Sequence, residues 1–483
     1  MHNEYDVIII GAGISGVNSA YRLQTKLPNY GYTILEARSA IGGTWDLFRY
    51  PGIRSDSDLY TFGFPWRPWV KDRAIADGAS IRDYVKDSAA AYGIDRKVKF
   101  HHRFLLADWS TKLQRWILSV DADGLKTAYC ARFIILSTGY YDYQEPMEVD
   151  IPGLNNFNGK LIHPQFWPED YDYSGKRMVI IGSGATAVTL LPVVAQKASK
   201  VTLLQRSPAY IVAVPAKDKT AQFLCTLLPV WLAYKILRWK FVLVTFIFFR
   251  FCHSFPEAAK KLIRGGAEKL LPKRITYDPH FKPAYNPWEQ RLCACPDGDF
   301  YKAFQQENVD IVTSRIRDVT GNSIITESGE VLETDIIVTA TGLKLQLAGG
   351  ATISIDGKPI ALQEKFLWKG VMVQDIPNMS FIIGHTNASW TLGADSSATF
   401  TCRVLKYMER KYMASAVPTM PDSESAVGAP ILNLNSTYIE KAKGCLPQVS
   451  TSGPWKRRSH WLKDDWIAHY GSLTAGMKYT KLG

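Results

Sequence analysis

Two stretches carry the residue types that hold a dinucleotide. In "YDVIIIGAGISGVNSAYRL" the apolar run Val7–Ile10 ends in Gly11, Gly13 and Gly16, with Ile14 and Ser15 between them. The first glycine permits a sharp turn. The second lets backbone N–H groups approach a pyrophosphate, and the third lets the following helix lie close to the strand. The helix N-terminus adds partial positive charge. Twenty residues after Gly16, the strand "YTILEA" reaches Glu36. A carboxylate there accepts from ribose hydroxyls and repels a 2′-phosphate, so this loop is expected to hold FAD or NAD rather than NADP. In "KRMVIIGSGATAVTLLPVVA" the pattern returns as Gly182, Ser183, Gly184, Ala185, Thr186 and Ala187, the GxGxxA variant. Nineteen residues after Ala187 stand Arg206 and Ser207, a cation and a hydroxyl where the first site has an acid. That pair favours a 2′-phosphate, hence NADPH. The plainer reading is an arginine facing solvent.

Two unlike dinucleotide loops imply a flavin that NADPH reduces. The chain must then cross between two domains and return. "FIILSTG" (133–139) and "IIVTATG" (336–342) are apolar strands ending in Thr-Gly. They read as exit and return, with Thr341 and Gly342 passing close to a cofactor. The expected fold is α/β, with two Rossmann-like domains, the NADP domain inserted in the FAD domain, and a helical insertion. The expected division is 1–145 and 371–483 for FAD, 146–215 and 286–370 for NADP, and 216–285 for the helical lobe.

Composition narrows the function classes. Of 483 residues 46% are hydrophobic and 21% charged, which is ordinary globular usage. The formal charge of +12 is scattered, so anionic cofactors and a solvated surface account for it and no nucleic-acid partner is expected. Seven cysteines with no CxxC pair, the closest being Cys293 and Cys295, argue against a disulfide framework, a metal site and a dithiol centre. A reducing, cytoplasmic location follows. The N-terminus enters a strand at once, which predicts no secretory leader. Residues 221–252 are strongly apolar, but their charge-free pieces, 221–234 and 241–249, fall short of the ~20 residues a span needs. They form either buried helices of the lobe or an interfacial patch that touches a membrane peripherally or collects apolar substrate.

The loop "IGGTWDLFRYPGIRSDSDLY" places Gly43, Thr44 and Trp45 beside the first site, then Arg54, Asp56 and Asp58. The two acids are solvated charges, or Asp56 holds a cation near the cofactor ring. A reduced flavin has three outlets. A disulfide reductase needs a CxxxxC after the first loop, and none is present. A reductase passes electrons to an acceptor. A monooxygenase activates oxygen.

"FNGKLIHPQFWPE" sits between the two loops and fits FxGxxxHxxxWP at Phe157, Gly159, His163, Trp167 and Pro168. Gly43, Trp45, Tyr50, Pro51, Gly52 and Asp56 fit GxWxxxx[FY]PGxxxD. With both patterns the chain resembles the type I Baeyer–Villiger monooxygenases, and within them the subgroup typified by the ethionamide-activating monooxygenase. The resemblance implies FAD, NADPH and O2. It implies a C4a-peroxyflavin that turns ketones into esters or lactones through a Criegee-type intermediate, with sulfide oxidation as a side activity. It places the catalytic arginine at Arg291, in "PWEQRLCACP", oriented by Asp56. An arginine keeps its charge at any working pH and stabilises a developing anion. The segment "GHTNASWTLGAD" implies that Asn387, Trp390 and Thr391 line the flavin site. In relatives that oxidise cyclic ketones a lysine precedes the arginine and binds the 2′-phosphate. Gln290 stands there in this chain, which leaves that task to Arg206. Between two domains that move, His163 reads as a joint rather than a base. The alternatives are a nitrogen or sulfur monooxygenase, a non-oxygenating NADPH–flavin oxidase or reductase, and a scaffold. A scaffold has no need of Arg291 and Asp56.

Overall fold

The computed structural model describes residues 3–385, 387–421, 428–431 and 444–481. Glu4–Ile10 runs parallel to Tyr32–Leu35 on one side and to Leu125–Leu136 on the other. Val7 and Ile9 enter one buried cluster, and Ile8 and Ile10 enter another. Successive side chains face opposite sides of a strand, and both sides are covered here. That explains an apolar run with no alternation. The first half of Leu125–Leu136 pairs antiparallel with Arg115–Ala122, which pairs in turn with His102–Ser110.

The second sheet has five parallel strands among the described residues. In spatial order they are Val309–Thr313, Lys200–Gln205, Arg177–Ile181, Ile336–Thr339 and Lys160–Ile162. In each sheet the strand before the glycine loop has its two successors on one side and a later strand on the other. A ligand crevice opens at such a reversal.

The two crossings run side by side. Asp142 N–H donates to Lys344 O (2.8 Å) and Gln346 N–H to Tyr140 O (3.0 Å). The Lys344 ammonium meets Asp142 Oδ2 at 3.2 Å. The exit and return strands thus continue into one paired neck. The strands after it rejoin the first sheet sooner than expected. Thr352–Ile355 pairs with His102–Ser110, and Lys358–Pro359 and Leu367–Trp368 belong to the same sheet. Backbone pairing therefore puts 352–368 with the first sheet, which corrects the boundary placed at 371. Within the expected FAD-domain ranges, residues 1–2, 386, 422–427, 432–443 and 482–483 lie outside the described residues.

The lobe is helical at Lys219–Leu227, Val230–Ser254 and Pro256–Glu268. Its long helix rests on the short helix Leu59–Phe62. There Arg238 donates to the carbonyls of Tyr60, Thr61 and Gly63 at 2.9–3.2 Å. These carbonyls lie at a helix C-terminus, where a cation is favoured. Among the described residues no helix is long and apolar enough to cross a membrane.

Candidate active site

Both glycine loops open on one cavity of about 850 Å³. Gly13, Ile14 and Ser15 reach it from the first loop, and Gly182, Ser183, Gly184, Ala185 and Thr186 from the second. Gly11 and Gly16 shape the turn from behind. Gly11 has φ +98°, and a Cβ there would lie 2.8 Å from Ser137 O. A Cβ on Gly16 would lie 1.9 Å from Gly11 O. Gly43 closes backbone to backbone on Gly13, and Thr44 and Trp45 continue the wall. Ser137 Oγ and Thr341 Oγ1 are buried without a hydrogen-bond partner, and both residues line the cavity. Bare backbone plus unpaired hydroxyls fits a ligand rich in phosphate and hydroxyl groups. Gly342 lines the same wall.

Glu36 is not on that wall. Its buried carboxylate accepts from Ala12 N–H (2.7 Å) and Arg38 N–H (2.9 Å). Burial pushes the carboxyl above the usual carboxylate range despite these donors. Glu36 thus ties the second strand to the glycine turn.

Arg291 and Asp56 meet at the cavity, Nε to Oδ2 at 3.1 Å. The other charges of "RSDSD" have partners of their own, although Arg54 lines the same cavity. Arg54 pairs with Asp299. Asp58 caps the helix Leu59–Phe62 by accepting from Thr61 N–H at 2.8 Å. Arg291 precedes the strand Cys293–Pro296, which is zipped parallel to Ile211–Val214, so a short sheet fixes its height. Burial pushes the Cys293 thiol up to about 12, which keeps it a thiol beside the pair.

Trp390 lines the cavity, donates Nε1–H to Ser15 Oγ (2.9 Å) and stacks on Tyr140 at 5.0 Å. Asn387 does not join it. Its side chain donates to Ser459 O (2.9 Å) and borders a separate small cavity with Phe246 and His460, a correction to its expected place at the flavin. Thr391 is buried and bonds Phe62 O.

The likeness to known proteins follows this geometry. Residues 9–73 match the NAD(P)-binding Rossmann-like domain, and 74–226 match the flavin-binding monooxygenase-like family. The FAD-containing monooxygenase EthA of Mycobacterium tuberculosis (strain ATCC 25618 / H37Rv) is 44% identical over 483 residues, 100% of this chain and 99% of that protein. The chain belongs to the FAD-containing monooxygenases. A probable FAD-binding monooxygenase, AlmA of Acinetobacter baylyi, is 41% identical to this monooxygenase over 96% of the chain and 93% of its own length. An open crystal structure of cyclohexanone monooxygenase shares the fold, with TM-score 0.77 and 20% identity over 99% of this chain and 100% of that one.

The monooxygenase carries its signature segment off the cavity wall. Lys160–Ile162 is the edge strand of the second sheet. A Cβ on Gly159 would lie 2.4 Å from Asp335 O, and Phe157 packs beside that glycine. His163 starts a 3-10 turn, and its Nδ1 accepts from Gln165 N–H (3.3 Å). Its ring also meets the Gly342 backbone, and burial lowers its pKa. Gln165 donates to Asp142 O in the neck (2.6 Å), and Trp167, followed by Pro168, is buried against Tyr173. The segment touches the neck and the return strand together. His163→Ala is expected to leave FAD bound and to slow flavin reduction by NADPH about tenfold or more in stopped flow. A colourless protein would contradict this.

Three polar residues of the cavity that sequence reasoning did not name bear on the site. Tyr140 and Tyr143 follow the exit strand, and Tyr143 Oη lies 3.0 Å from Thr44 Oγ1. The third is Arg315. Arg206 and Arg315 leave the C-terminal ends of neighbouring parallel strands, where Gln205 and Thr313 are in register, and both line the cavity. No local pattern in the sequence marks Arg315, because its place beside Arg206 comes from the pairing of two distant strands.

Proposed function

We propose that this monooxygenase uses NADPH and O2 to convert a ketone into an ester or lactone. The observation that carries this reading is the Arg291–Asp56 pair, held on the wall of the cavity that both glycine loops share. FAD belongs at the Gly11–Gly16 loop, with Trp390 and Tyr140 beside it. NADPH belongs at the Gly182–Ala187 loop, with Arg206, Ser207 and Arg315 around its 2′-phosphate. The flavin, reduced by NADPH, supplies activated oxygen. Arg291 sets a fixed positive charge where negative charge develops on oxygen, and Asp56 aims the guanidinium. The balance is ketone, O2, NADPH and a proton giving ester, NADP+ and water. One oxygen atom enters between the carbonyl carbon and the migrating carbon, and the other leaves as water.

The test is a panel of linear and cyclic ketones and sulfides, with NADPH consumption and products measured together. Ester from a ketone is the expected result. Hydrogen peroxide alone across the panel rules the reading out. The cofactor choice has its own test. Arg206→Ala is expected to raise the KM for NADPH about ten- to a hundredfold, and Arg315→Ala about tenfold, each leaving the KM for NADH unchanged. A parallel loss with NADH would mean that these residues do not read the phosphate.

A further inference from the structure

Half of the large apolar side chains that stand exposed among the described residues fall between 223 and 262. On the helix Val230–Ser254, Ile236, Trp239, Leu243 and Ile247 recur at three- and four-residue spacing and are all exposed. They form one stripe along one face. Lys235 and Arg250, both exposed, bracket the stripe at its two ends. Residues 219–264 carry eight Lys or Arg against a single Glu, a large share of the surplus of the whole chain. The inner face of the same helix is committed elsewhere. Val242, Phe246 and Phe249 border the small cavity at Ser389, next to Trp390 of the cofactor cavity.

We propose that the lobe docks on a bilayer rich in anionic lipid. The helix Val230–Ser254 lies in the interface plane, with its Ile236–Ile247 stripe among the upper acyl chains and its exposed Lys235 and Arg250 at the headgroups; Arg238 and Lys240 are held to the protein by the Tyr60, Thr61 and Gly63 carbonyls and by Asp218. An aqueous surface gives this stripe no stabilisation, whereas an interface buries apolar area and neutralises the charge at once. Tryptophan suits that depth. No described helix can span, so the contact is peripheral.

The experiment is flotation of the FAD-loaded enzyme with vesicles, of phosphatidylcholine alone or of phosphatidylcholine mixed with phosphatidylglycerol. The enzyme is expected to float with the mixed vesicles, and to be released by high salt. Leu243→Glu with Ile247→Glu is expected to lower vesicle binding more than about tenfold while FAD content and NADPH oxidation are kept. Lys235→Gln with Arg250→Gln is expected to narrow the preference for anionic lipid. Three results overturn the proposal. They are no flotation with either vesicle, flotation equal for wild type and Leu243→Glu/Ile247→Glu, and an oligomer that this variant splits into monomers with no vesicle binding. The last would assign the stripe to a second copy of the chain.

Discussion

Arg291→Ala is expected to bind FAD, to accept electrons from NADPH and to release hydrogen peroxide, while ester formation falls by at least about 10²–10³-fold. The reason lies in what the side chain touches. Arg291 is partly exposed to the cavity and bonds Asp56 at 3.1 Å, and it is not part of either glycine loop. Its loss leaves both nucleotide cradles intact and removes the charge that the proposed transition state needs. Asp56→Ala is expected to act in the same direction with a smaller loss, because the guanidinium stays but is no longer aimed. Arg291→Lys is expected to recover little, since an ammonium lacks the planar fork that pairs with a carboxylate. Parallel measurement of NADPH oxidation, peroxide and ester separates the outcomes. Equal loss of reduction and oxygenation would make Arg291 a structural residue.

The second large effect is at Gly16. A Cβ there would sit 1.9 Å from Gly11 O, a backbone atom that cannot move without opening the turn. The helix Ile14–Lys26 would have to draw away from the strand, taking its N-terminal N–H groups out of reach of a pyrophosphate. Gly16→Ala is therefore expected to purify colourless or to fail to accumulate. Gly184→Ala is the informative contrast, because nothing lies within 4 Å of a Cβ at that position. It is expected to keep its yellow FAD and to lose affinity for NADPH, since the methyl group enters the second cradle. The flavin-to-protein absorbance ratio and an NADPH titration check both. Full FAD content in Gly16→Ala would refute the close-packing argument.

What the sequence made legible was local chemistry. A glycine turn between an apolar strand and a helix is written in neighbouring residues, and the structure places both loops on one cavity. What it hid depends on pairing between distant residues. The boundary at 371 failed because Thr352–Ile355 pairs with Leu106–Trp109, a partner that no local pattern names. Arg315 stayed hidden because its nearness to Arg206 comes from two parallel strands in register. Glu36 was visible as an acid at the end of a strand, but not that two backbone donors already engage it. Asn387 and Trp390 are three residues apart. The tryptophan turns toward Ser15 and the asparagine toward Ser459, a split set by the helix that begins at Trp390.

The most direct measurement is a turnover under ¹⁸O₂ with NADPH and a ketone that the wild-type enzyme consumes, followed by mass spectrometry of the products. The expected result is an ester or lactone carrying one labelled oxygen, formed by the wild type and absent from Arg291→Ala, with labelled water as the co-product. Labelled hydrogen peroxide with no labelled organic product would contradict a ketone oxygenase. Labelled sulfoxide from a sulfide, with no ester from any ketone, would assign the site to heteroatom oxidation instead.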